Sequence, residues 1–70
     1  MDKRHTKRSN IHIGDEVEVI LKHHQGSGEL TWGIVKRLLT NAVNHPHGIK
    51  VLLDDGKVGR VQVILSEEED

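Results

Sequence analysis

The side chains in this 70-residue chain that could do chemistry are cations and imidazoles. Lys22, Lys36, Arg37, Lys50 and Arg60 are spread along its body, and His45-Pro46-His47 sets two imidazoles on either side of a proline. Lys and Arg neutralise phosphates, and the Arg fork matches phosphate or carboxylate geometry. The imidazoles and the single Trp32 offer flat faces on which an unpaired base can stack. Arg60 stands out because Gly59 beside it allows a ligand or a second backbone to come close. Its structural alternative is a salt bridge to Asp54 or Asp55. Trp32 also has two readings, a stacking platform or the one large plug of an aliphatic core.

Other chemistries find less to work with. The six histidines are His5, His12, His23, His24, His45 and His47. A zinc site needs three or four ligands, and the spacing of His45 and His47 specifies no third, so no metal is expected. The chain has no cysteine. That removes thiol nucleophiles, disulfides and Cys-type zinc or iron–sulfur sites. Ser9, Ser27 and Ser66 lie outside any nucleophile-elbow motif, and Gly26-Ser27-Gly28 is too short for a phosphate cradle and leads into a strand. No enzyme activity, cofactor or small-molecule substrate is expected.

The elements that must position these residues read as strands. Six Ile and eight Val outnumber seven Leu, which favours sheet over helix. Val17, Val19 and Leu21 alternate with Glu16, Glu18 and Lys22, the period of a half-buried strand. A second strand is expected from Leu30 to Leu39, with a bend or bulge at Gly33. Its poor alternation leaves a helical turn within 34–43 as the structural alternative. Thr40 to His47 forms the longest loop. Ile49 to Leu53 is the third strand, Asp54-Asp55-Gly56-Lys57 a hairpin turn, and Val58 to Leu65 the fourth strand. The expected inward set is Val17, Val19, Leu21, Ile49, Val51, Leu53, Val61, Val63 and Leu65, with part of the second strand. An open sheet of this size would leave one face bare. The expected fold is therefore all-β, a small SH3-like antiparallel barrel of four to five strands with disordered charged termini.

Charge is polarised although the net value is only −1. Lys3, Arg4, Lys7 and Arg8 make the N-terminal segment basic, and Glu67, Glu68, Glu69 and Asp70 make the C-terminal one acidic. Residues 1–10 are read as a basic flexible arm, 11–65 as the barrel and 66–70 as an acidic flexible tail. No apolar run approaches the roughly 18 residues of a membrane span, and no apolar h-region follows Met-Asp-Lys-Arg-His. A cytoplasmic protein is expected.

Four segments carry a resemblance: Leu30-Thr31-x-Gly33-x-Val35, then Leu39-Thr40, then His45-Pro46-x-Gly48-Ile49-Lys50-Val51-x-Leu53, then Gly56-x-Val58-Gly59-Arg60-Val61. Together with Gln25 and Gly28 they resemble the YwbE-like family of small uncharacterised proteins over roughly residues 10–65. The His-Pro-x-Gly-Ile-Lys-Val segment is the most specific part. The pattern is also similar to KOW-type modules of ribosomal proteins and transcription elongation factors, with a longer central loop and an added His-Pro turn. These readings point to a small intracellular binding module. Its expected partner is RNA or a ribonucleoprotein, held on a basic face made by Lys22, Lys36, Arg37, Lys50 and Arg60, with His45, His47 and Trp32 in support. The alternative is a protein-interaction or homodimerisation module that uses an exposed strip of Ile20, Leu52 and Ile64.

Overall fold

The computed structural model describes residues 4–66. Four strands, β1 (Glu16–Leu21), β2 (Leu30–Leu38), β3 (Lys50–Leu53) and β4 (Val58–Ile64), close into an antiparallel barrel. Closure is made by β1, which pairs with β2 on one side and β4 on the other. The strand β2 serves two partners in succession: residues up to Ile34 pair with β1, and Val35 onward pair with β3. A closed sheet leaves no bare face or long open edge, which answers the small size of the chain. The SH3-like, all-β expectation holds.

The interior is aliphatic. Ile11, Val17, Val19, Leu21, Val35, Ile49, Val51, Leu53 and Val61 are buried, with Leu38 and Ile64 packed against them. Alternation in β1 and β3 puts every second residue inside, as their sequences require.

Two bulges set the remaining phases. In β2 the register shifts between Val35 and Arg37, making Lys36 the extra residue. Val35 therefore points in, Lys36 and Arg37 are both exposed, and Leu38 returns to the core. The adjacent Lys-Arg pair that breaks the alternation is thus a bulge, and residues 34–38 are strand, not a helical turn. Beyond it, Leu39 N–H and Thr40 N–H both donate to the Lys50 carbonyl, which keeps the chain alongside β3.

The second bulge corrects the expected core. Glu18 faces Val63 and Val19 faces Val61, so Gln62 is the extra residue in β4. Its insertion reverses the phase downstream. Val63 and Leu65, expected inside, are 37% and 45% exposed, while Ile64 turns toward Val17 and the core.

Residues 4–10, the described part of the basic arm, form two 3₁₀ turns (Arg4–Thr6 and Arg8–Asn10) along the loop between β2 and β3. His45 N–H donates to the Thr6 carbonyl at 2.8 Å, Arg8 N–H to Val43 at 2.9 Å and Ile49 N–H to His5 at 3.0 Å. The Arg8 Nε–H reaches the Thr40 carbonyl at 2.8 Å. Ile11 then closes the core at the end of this segment. Residues 1–3 and 67–70, including most of the acidic tail, lie outside the described residues.

Candidate nucleic-acid interface

The β3–β4 hairpin sets Lys50 opposite Arg60, and the β1–β4 pairing sets Ile20 opposite Arg60. Neighbouring strands lie about 4.8 Å apart, so Ile20, Arg60 and Lys50 form one row across the outer face. The 3₁₀ turn Lys22–His24 carries β1 past this row and brings Lys22 and Gln25 beside it.

The row is the floor of a groove with two adjoining compartments. One, of about 540 Å³, is walled by His45, Pro46 and His47, with Gln62 and Gln25 at its sides. The other, of about 350 Å³, is lined by Lys22, Lys50, Val58 and Gly59. Ile20, Gln25 and Arg60 belong to both and make the seam. Among the described residues, no Asp or Glu lines either compartment.

Backbone geometry fixes the histidine wall. Gly48 has φ +102°, a conformation other residues rarely adopt, and a Cβ there would collide with the Val61 carbonyl oxygen. Arg60 Nη1–H donates to the Gly48 carbonyl at 3.1 Å, tying β4 to the loop. The Gln62 amide nitrogen donates to the His47 carbonyl at 3.0 Å and to the Arg60 carbonyl at 3.3 Å. The bulge residue of β4 is therefore the clamp of the wall. His47 N–H donates to His45 Nδ1 at 3.1 Å, which requires that nitrogen to be unprotonated. Desolvation, then the nearby charges of Arg60 and His47, holds the His45 imidazole below its ordinary pKa of 6.5.

The alternative expected for Arg60 is not found among the described residues, whereas at Gly59 a second backbone does come close. Arg60 makes no salt bridge to Asp54 or Asp55 among the described ion pairs. Asp55 pairs instead with Lys57 at 2.9 Å. Hydrogen bonds from Lys57 to its carboxylate hold Asp55 below its usual pKa. The space at Gly59 is taken by β1: a Cβ would lie 2.7 Å from Val19 Cγ2 and 2.8 Å from the Ile20 carbonyl oxygen. The Cβ side of Gly59 thus admits a strand, while the residue still borders the groove.

Of the expected site residues, Lys22, Lys50, Arg60, His45 and His47 come together. The other three do not. Lys36 sits on the β2 bulge, Arg37 faces Leu52 on β3, and neither lines the groove. Trp32 is opposite Glu18, 54% exposed, and its indole N–H donates to Glu16 Oε2 at 2.8 Å. It is not a core plug, and its neighbours are carboxylates. The aliphatic strip also dissolves: Ile64 packs on the core, Ile20 floors the groove, and Leu52 lies between Arg37 and Val58. Gln25, Pro46 and Gln62 enter the site without having been singled out for it. Pro46 was legible from its place between the two histidines, whereas Gln62 had no local signal because its role comes from the bulge.

Comparison with known proteins fits this one-domain picture. Residues 4–64 match the family described as "Uncharacterized conserved protein (DUF2196)". The chain is 50% identical over 60 residues to the "Uncharacterized protein YwbE" of Bacillus subtilis (strain 168), covering 86% of this chain and 92% of that protein. No solved structure matches significantly. Since both matches span nearly the whole chain, barrel and groove included, the chain belongs to the YwbE-like family of conserved proteins.

Proposed function

We propose that this protein is a nucleic-acid-binding module that takes RNA in preference to DNA along the Lys22–Lys50–Arg60 groove. The observation that carries this reading is the placement of Lys50 directly opposite Arg60 with no described carboxylate in the groove. Like charges directly opposed across two strands are destabilising. The fold tolerates this arrangement, and a bound phosphate would relieve it. Arg60 commits one nitrogen to Gly48 and keeps other N–H groups for an anion. Lys22 and Lys50 have no ion pair with a described residue, so their charge is available. The shallow, open groove suits a single strand better than groove reading of a duplex. The similarity to KOW-type modules favours RNA.

The function is binding by charge neutralisation, without a chemical step. The test is fluorescence anisotropy of a labelled mixed-sequence single-stranded RNA. The Lys50→Ala, Arg60→Ala double variant should bind roughly tenfold or more weakly, by loss of two phosphate contacts. Its amide spectrum should remain that of the folded barrel. Lys36→Ala with Arg37→Ala should change affinity far less. Unchanged affinity in the folded Lys50, Arg60 variant would contradict the assignment.

A further inference from the structure

The two compartments of the groove differ in chemistry. The Lys22–Lys50 side carries the ammonium groups. The His45–Pro46–His47 side carries flat rings over the aliphatic floor of Ile20. Its hydrogen-bonding groups are already partly committed. Both amide hydrogens of Gln62 are engaged by the His47 and Arg60 carbonyls, leaving Oε1 as an acceptor. His45 Nδ1 accepts the His47 N–H, so the neutral ring carries its proton on Nε2 and is a donor. The compartment thus combines an apolar floor and stacking faces with the Gln62 acceptor and the His45 donor, and the Gln25 amide and the Arg60 guanidinium stand at its edge. Its volume of about 540 Å³ lies within the range of small-molecule sites and is ample for one planar heterocycle.

We infer that the His45–Pro46–Gln62 compartment holds a single unpaired nucleobase while Lys22 and Lys50 each hold a flanking phosphate, with Arg60 on a third at the seam. This rests on the RNA-binding reading and adds its ligand unit, one flipped-out nucleotide. Gln62 and His45 do not select among bases, because adenine, cytosine, guanine and uracil each carry a donor next to an acceptor on the Watson–Crick edge, and the Gln25 amide, donor and acceptor at once, adds no preference. Selection is for an accessible base, not for a particular one. The protein accordingly prefers single strands and unpaired ends over a closed duplex, with little sequence preference.

The test compares four probes of equal length with the full chain: mixed-sequence single-stranded RNA, the same RNA in a closed duplex, an abasic-ribose oligomer of the same phosphate count, and oligo(U). The single strand and oligo(U) should bind within a few-fold of each other. Duplex and abasic oligomer should bind roughly tenfold or more weakly, because neither offers a base to stack. His45→Ala should weaken single-strand binding by a similar factor without changing its salt slope. Lys50→Ala should make the slope shallower by about 0.7. Duplex or abasic RNA bound as tightly as the single strand would overturn the base compartment while leaving the cationic groove in place. Absence of binding to all four would overturn both. The wild-type comparison of probes decides the matter even if His45→Ala disturbs the loop.

Discussion

His45 is the residue at which loop structure and groove chemistry meet. Its Nδ1 is occupied by the His47 N–H, and its surroundings hold its pKa below 6.5. The neutral ring is thus favoured in the folded protein, and the unfolded chain takes up the proton more readily. As pH falls through about 6.5 toward the lower folded value, the unfolded state binds more protons and folding stability declines. Above 6.5 both states are neutral at this position and the contribution is fully present. Thermal melting from pH 7.5 to 5 should show this loss, and His45→Gln should show a smaller one over the same window. Trp32 gives a second check at this scale. Because it is exposed and tied to Glu16, outside the groove, acrylamide should quench it readily in the folded protein. Saturating RNA should leave that quenching unchanged; protection by RNA would relocate the site to the β1–β2 face.

At the level of elements, the two bulges decide which residues work. The Gln62 bulge in β4 turns Ile64 inward and Val63 outward. Ile64→Ala should therefore cost roughly 1–3 kcal/mol, less than a fully buried site would, and Val63→Ala under about 1 kcal/mol. Chemical denaturation of the two variants measures the difference, and the reverse order would place Val63 in the core. Gly48→Ala combines a left-handed backbone with a blocked Cβ position and should cost about 1–3 kcal/mol or more. Much of this level was legible in the sequence. Val17-x-Val19-x-Leu21 and the Asp54-Asp55-Gly56-Lys57 turn locate β1 and the hairpin, but not the hairpin's register: a two-residue Asp55-Gly56 loop would pair Lys50 with Val61, whereas the loop centres on Asp55 and sets Lys50 against Arg60. The β4 bulge was not legible, because the inserted Gln62 leaves no local mark and its effect is seen only in the partner strand's register; the β2 bulge left one, the broken alternation at Lys36 and Arg37, which a helical turn would explain equally well. The packing of residues 4–10 against the 43–49 loop was hidden for a related reason: it is made largely of backbone hydrogen bonds, which any side chains permit.

For the whole molecule, net charge is a poor guide to the site. The chain is close to neutral, yet the barrel gathers Lys22, Lys50 and Arg60 on one groove and leaves Glu16 and Glu18 with Trp32 on another part of its surface. Closure of the sheet does this by wrapping β1 against β4, which brings Ile20 and Lys22 to the hairpin's cations. With about three phosphates neutralised, single-strand affinity should fall with a log–log salt slope of roughly −2. Between 50 and 200 mM salt that amounts to about a 20-fold weakening. The most direct test of this groove is an amide chemical-shift titration of the labelled protein with mixed single-stranded RNA at those two salt concentrations. Shifts should cluster on Ile20, Lys22, His45, His47, Lys50, Arg60 and Gln62 and fade at the higher salt. No shifts at low salt, or shifts confined to Trp32, Lys36 and Arg37, would contradict the assignment.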